Sequence, residues 1–259
     1  MTDHAPLAGT TALVTGASSG IGEATARHLA SLGADVALVA RRRDRIETLA
    51  AEIGGSGTQA RRTAVIEADV TDREQAEAAV ARTVEELGRL DVLVNNAGVM
   101  LLGPITEAPV EEWDQMVQVN VLGLLYCAKA ALPHLLEAAS SGGRGTADLV
   151  NVSSVAGRVP RVGSGVYNAT KHAVGAFSES LRQEVTKRHV RVGLVEPGAV
   201  ETELAGHNRP EVLETMSKRF ADMERLRADD IADAIGWMVT RPRRVAVNEI
   251  LVRPTEQEQ

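Results

Sequence analysis

Aromatic side chains are almost absent from these 259 residues: two Trp, two Tyr and two Phe leave the core to Ala, Val, Leu and Ile. Cysteine is nearly absent too. The single thiol, Cys127, lies in the apolar stretch VLGLLYCAKAAL, so no disulfide can form within the chain. That suits a reducing cytoplasm, and a buried small hydrophobe is expected there rather than a reactive nucleophile. Positive charge is not in excess. With 28 Lys and Arg against 35 Asp and Glu, the net charge is −7, which argues against nucleic-acid partners, because these need a basic face. No uncharged apolar run approaches the roughly 20 residues that span a bilayer, so no membrane partner is expected. The opening MTDHAPLAGTTALVTG has no basic region before its apolar run and does not read as a secretory leader. Internal repeats, low-complexity tracts, a dividing linker and a metal-ligand cluster are also missing.

What the chain has is alternation. Short β-branched and apolar runs at 11–15, 35–40, 63–69, 90–96, 147–154, 190–197 and 247–252 read as strands. Helical patterns fill the gaps at 21–33, 43–54, 71–88, 110–139, 165–188 and 228–240. The strands are apolar throughout, so both sheet faces are covered. The alternation itself implies right-handed βαβ units. The expected fold is α/β: a single doubly wound Rossmann domain over 1–259, its seven-stranded parallel sheet flanked by helices on both faces. Residues 201–228 lack a strand pattern, carry many charges and follow Pro197 and Gly198 at a strand end. They read as a helical lid over a site or as a surface excursion.

TALVTGASSGIGEATARHLASLG sets Gly16, Gly20 and Gly22 between the first strand and the first helix. Gly16 allows the tight turn; Gly20 and Gly22 let a pyrophosphate and the sheet approach the backbone. The free N–H groups of the helix start then face the anion. A dinucleotide fold that prefers NAD carries an acid at the end of the second strand, to meet the ribose 2′-hydroxyl. This chain has Ala40 there, followed by Arg41, Arg42 and Arg43. Guanidinium groups can bind a 2′-phosphate that a carboxylate would repel, so NADP(H) is the expected cofactor. Arg41 and Arg42 are the expected ligands, with Arg43 opening the next helix in solvent. Asp69, closing the third strand, can meet the adenine edge or start a helix.

One of the two tyrosines, Tyr167, stands four residues before Lys171 in GVYNATKHAVGAF. On a helix the two share a face, about 5–6 Å apart at Cβ. A phenol is a weak acid at neutral pH. An ammonium about 4 Å away, at an effective dielectric near 20, is worth roughly 4 kcal/mol and would bring the phenol near working pH. His172, beside the pair, must point off this face and is expected to be structural.

TGASSGIG (15–22), NNAG (95–98), Asn120 in VQVNVLG, Ser154 in NVSSVAG, YNATK (167–171) and PGAVET (197–202) occur in this order. Together they resemble the short-chain dehydrogenase/reductase family across nearly the whole chain. The resemblance implies that Tyr167 is the general acid in carbonyl reduction and the base in alcohol oxidation. Ser154 would hydrogen-bond the substrate oxygen, with Ser153 the rival hydroxyl. Lys171 would hold the nicotinamide ribose and bias Tyr167, and Asn120 would hold a relay water. Ser18, Ser19, Ile21 and Val70 would join the glycines and arginines at the cofactor. Asn96, Ala97 and Gly98 would line the adenosine-ribose side, and Pro197, Gly198, Val200 and Thr202 the nicotinamide amide.

GVMLLGPI, SSVAGRV, VEPGAVETEL and VNEILVRPTEQ further resemble the clavulanate dehydrogenase branch and the NADP-dependent 3-hydroxy acid and serine dehydrogenases. The resemblance implies a cytoplasmic NADPH-dependent carbonyl reductase, acting on a small aldehyde, ketone or alcohol and assembling as a homotetramer or homodimer. The alternative is a non-catalytic NADP-binding sensor or partner protein on the same fold.

Overall fold

The computed structural model describes residues 5–55, 61–219 and 223–258. Its seven strands are β1 (Thr11–Thr15), β2 (Asp35–Ala40), β3 (Thr63–Glu67), β4 (Val92–Asn95), β5 (Ala147–Val152), β6 (Val190–Pro197) and β7 (Glu249–Val252). They form one parallel sheet in the order β3-β2-β1-β4-β5-β6-β7. The helices are α1 (Gly20–Ser31), α2 (Arg43–Ile53), α3 (Arg73–Leu87), α4 (Val110–Val117), α5 (Leu124–Ser141), α6 (Gly165–Val185), α7 (Pro210–Arg219) and α8 (Ala228–Val239).

β1, β4, β5 and β6 are buried at every position, whereas the edge strands β3 and β7 alternate. The unbroken apolar runs of the central strands follow from this: one face packs under α3, α5 and α6, the other under α1, α2 and α8. Leu13, Leu93 and Leu149 meet Ala79, Ala131 and Leu181 in the first layer. Val14, Val94 and Val150 join Leu29, Ile46 and Ile235 in the second. Side chains of this size let helices sit close to the sheet, which explains how so few aromatics suffice.

The sheet grows one way from β1 into β2 and the other way into β4. The crevice outside the carboxyl ends of β1 and β4 is the place where such a sheet binds ligands. Several elements are shorter than the sequence pattern predicts. β3 ends at Glu67 because the Asp69 carboxylate turns the chain, accepting from Thr71 N at 3.0 Å and Thr71 Oγ1 at 2.8 Å. Asp72 then caps α3 by accepting from Gln75 N, so Asp69 forms the turn ahead of the helix rather than starting it.

The pattern over 110–139 predicts one helix, and the structure breaks it with a π-turn at Gln118–Gly123. Among the described residues, 110–141 is the one helical stretch long and apolar enough by length and composition to cross a bilayer. Here Cys127, Ala128, Ala131, Leu135 and Ala138 carry it into the core. The thiol of Cys127 is pushed up to about 12 by burial, consistent with an inert apolar residue.

The region 201–228 forms a 3₁₀ turn (Glu203–His207) and α7, then enters α8; residues 220–222 lie outside the described ones. Its two ends are clipped together, since Leu226 N donates to Ala199 O at 3.0 Å and Glu201 N to Leu226 O at 2.8 Å.

Candidate active site

A cleft of about 670 Å³ opens at the carboxyl ends of β1 and β4. At one end the backbone bends at Gly16 (φ +68°) and Gly20 (φ +54°), both in the left-handed region that favours glycine. A methyl group on Gly16 would lie 2.9 Å from Ala97 Cα, and one on Gly22 would lie 2.3 Å from Gly16 O. Gly22 therefore does not line the cleft; it packs beneath the turn and lets α1 approach it. Thr15 Oγ1 accepts from the backbone N of Asn96 and Ala97, and Asn96 Nδ2 donates to Thr15 O, at 3.0, 3.1 and 3.0 Å. These bonds fasten β4 to the glycine bend. The bend presents backbone together with Ser18, Ser19 and Ile21 to the cleft, and a methyl group on Gly20 would lie 3.1 Å from the Thr202 side chain, so glycine leaves the room a dinucleotide pyrophosphate would need.

Arg41 is 70% exposed at the side chain, with only a loose 3.9 Å pairing to Asp69. Arg42 points back over the turn. Its Nε and Nη2 donate to Ser18 Oγ at 3.1 and 3.0 Å, Nη2 also to Ser19 Oγ at 2.8 Å, and Nη1 to Glu203 Oε2 at 2.8 Å. Arg43 opens α2 and pairs with Glu47 on the exposed side.

At the other end, α6 brings Tyr167 and Lys171 beside the end of β5. Lys171 Nζ donates to Val152 O at 3.0 Å and stands 5.8 Å from the centre of the Tyr167 ring. The predicted depression of the phenol by the ammonium is not what the structure gives. Burial pushes Tyr167 up to about 12, the hydrogen bond with Ser154 drawing it back only in part. Burial also pushes Lys171 down to about 8. Taking both groups out of water favours the neutral form of each.

Ser154 starts a 3₁₀ turn, accepting from Ala156 N at 3.1 Å and contacting Pro197 O at 3.4 Å. Ser153 donates to Lys171 O at 3.1 Å, so its hydroxyl is committed to α6 and Ser154 is left to face the phenol. Asn120 does not line the cleft. Buried in the π-turn, its Oδ1 accepts from Val99 N and its Nδ2 donates to Val99 O, both at 2.8 Å, with a further bond to Thr170 Oγ1 at 3.2 Å. It ties β4's exit to α6, and the π-turn is the distortion that points it there. A methyl group on Gly98 would lie 3.3 Å from Asn120 Oδ1 and 3.8 Å from Lys171 Nζ, which shows how tightly the three elements meet. His172 is exposed and bonds Asn168 O.

The other predicted residues line one continuous cleft: Ser18, Ser19, Ile21, Asp69, Val70, Asn96, Ala97, Gly98, Pro197, Gly198, Val200 and Thr202. Gln257 and Asn208 are among the participants that escaped the sequence reading. Gln257 accepts from Ala199 N at 2.8 Å, closing the C-terminal tail onto the loop after β6. Asn208 accepts from Leu102 N at 2.7 Å and donates to Met100 O at 3.0 Å, joining the 203–208 segment to the loop after β4. Neither has a local sequence signal, since each acts on a loop at least 58 residues away. No group of three or more His, Cys, Asp and Glu able to hold a metal occurs among the described residues.

Residues 10–213 match the family described as short chain dehydrogenase. An uncharacterized oxidoreductase of Staphylococcus aureus is 37% identical over 243 residues, 94% of this chain and 96% of its own length. Among solved structures, the closed form of a serine dehydrogenase complexed with NADP+ is 32% identical with a TM-score of 0.86, covering 96% of this chain and 97% of its own. A short chain dehydrogenase/reductase from Burkholderia phymatum in complex with NAD is 27% identical with a TM-score of 0.82, covering 95% and 89%.

Proposed function

Because this chain belongs to the short-chain dehydrogenase/reductase family and is an oxidoreductase of that family, we propose that it reduces a carbonyl to an alcohol with NADPH, and runs the reverse with NADP+. One observation carries the reading: a hydroxyl, a phenol and an ammonium converge on one end of a cleft whose other end is a glycine turn flanked by Arg41 and Arg42.

A nicotinamide held in this cleft would supply or accept the hydride. The glycine turn and the α1 N-terminus would hold the pyrophosphate, Arg41, Arg42 and Ser18 the 2′-phosphate, and Asn96, Ala97, Gly98, Pro197, Gly198, Val200 and Thr202 the rest of the dinucleotide. The chain's own chemistry is proton and charge management. Ser154 and Tyr167 offer two hydroxyl donors to a substrate oxygen, and donors already in place are worth most as that oxygen gains charge. Tyr167 gives up its phenolic proton to the oxygen. Lys171, held by Val152 O, keeps a positive charge behind the phenol as it becomes phenolate. Asn120 holds the walls in register through Val99 and Thr170. The 203–219 segment, clipped at Ala199 and Leu226, acts as a lid on the substrate end.

NADPH rather than NADH is favoured by Ala40 and the two arginines that follow it, where an NAD enzyme carries an acid. The test is to give purified protein NADPH or NADH with a panel of aldehydes and ketones and follow loss of reduced cofactor. Turnover with NADPH on some carbonyls is expected; no turnover with either cofactor on any of them, despite cofactor binding, would favour the sensor.

A further inference from the structure

Glu203 sits where the proposed cofactor's charge would fall. It follows Thr202 and opens the 3₁₀ turn, yet its carboxylate reaches across the cleft to two arginines. Oε2 accepts from Arg42 Nη1 at 2.8 Å and Oε1 from Arg45 Nη1 at 2.6 Å. Nε and Nη2 of Arg42 donate to Ser18 and Ser19. Each nitrogen of this guanidinium therefore donates within the protein, Nη1 to an anion. The hydrogen bonds from Arg45 and Arg42 hold the Glu203 carboxyl down at about 2, so it stays ionised at any working pH.

We propose that Glu203 is an internal rival of the 2′-phosphate: it occupies Arg42 from the substrate-side loop and sets how strongly the chain prefers NADPH over NADH. The inference rests on the reading of Arg41, Arg42 and Ser18 as the phosphate site. Two effects oppose each other. Removing the carboxylate frees Arg42 to move, but an ion pair 41% and 47% exposed at its two side chains is worth less than about fivefold in an equilibrium. Removing it also relieves repulsion of a group carrying about two negative charges across the width of one guanidinium, well inside a Debye length of about 8 Å. The second effect is the larger, so the carboxylate weakens phosphate binding on balance. Leu204, Ala205 and His207 of the same turn line the substrate part of the cleft. A phosphate that claims Arg42 thereby removes one of the two ties between this flank and the cofactor flank, leaving Glu203 on Arg45.

The test uses adenosine 2′,5′-bisphosphate and adenosine 5′-monophosphate, which differ only in the disputed phosphate, titrated calorimetrically into wild type and Glu203→Gln. The bisphosphate should bind the variant about tenfold more tightly than wild type, with the monophosphate unchanged. NADPH and NADH should repeat the pattern. A wild-type preference for the bisphosphate that stays the same or weakens in Glu203→Gln overturns the inference and leaves the NADP reading standing. Equal binding of both probes by both proteins overturns the NADP reading and the inference with it.

Discussion

The Lys171 ammonium donates to the carbonyl oxygen of Val152, the last residue of β5, at 3.0 Å. This bond fixes α6 against the strand end and keeps the charge behind Tyr167. Burial holds Lys171 at about 8, below its ordinary 10.5. Between those values the unfolded chain binds more protons than the folded one, so this group's contribution to stability rises with pH. Lys171→Met removes the cost of burying the charge, roughly 3 kcal/mol at most. Urea melts should show the variant gaining on wild type at pH 7 and losing that gain toward pH 10. Tyr167, pushed up from 10.0 to about 12, works the other way above pH 10 in both proteins and cancels in the comparison. Parallel curves would contradict the shift.

Asn120 satisfies both backbone groups of Val99 in a buried place. Asn120→Ala leaves a buried N–H and C=O unpaired, at about 1–3 kcal/mol each. A loss of roughly 2–6 kcal/mol is expected, measurable as a lower midpoint in denaturant. Substrate turnover should fall as well, since the same side chain holds Thr170 on α6.

At Gly22 a methyl group would meet Gly16 O at 2.3 Å and Asn96 Nδ2 at 2.5 Å. Alanine is the better helix former by about 1 kcal/mol, so propensity alone would make Gly22→Ala stabilising. The contact with fixed backbone wins. A net loss of about 1–3 kcal/mol is expected, together with weaker binding of either dinucleotide, read by thermal melting and titration.

Of Arg41, Arg42 and Arg43, Arg41 has the least holding it: 70% exposed and 3.9 Å from Asp69. Arg41→Ala should weaken NADPH about tenfold or more, the value of a charge-assisted pair, and leave NADH within about twofold. Fluorescence titration of the two reduced cofactors checks this, and equal losses would contradict it.

Much of this architecture was legible in the sequence because it is written locally. β1, β2 and β6 run over the predicted residues since their apolar runs stop at turn-forming neighbours. The glycine turn is legible because only glycine fits its φ values and close contacts. β3 and β5 end two residues early for a different reason: Asp69 and Ser154 read as strand ends but turn the chain with their own side chains. The π-turn at 118–123 has no local mark, because it answers to Val99 twenty-one residues earlier. Gln257, Asn208 and Glu203 were missed on the same ground, each acting on a loop remote in sequence. The sign of the Tyr167 shift was misjudged because spacing reports distance between two groups and says nothing of the water both lose.

The account turns on the phenol of Tyr167 as the proton donor. The most direct measurement compares wild type with Tyr167→Phe in NADPH oxidation by the best carbonyl substrate, with NADPH affinity determined alongside. Loss of the phenolic proton should lower kcat by at least 10²-fold while the NADPH dissociation constant stays within about threefold. A Tyr167→Phe variant that turns over at the wild-type rate would contradict it.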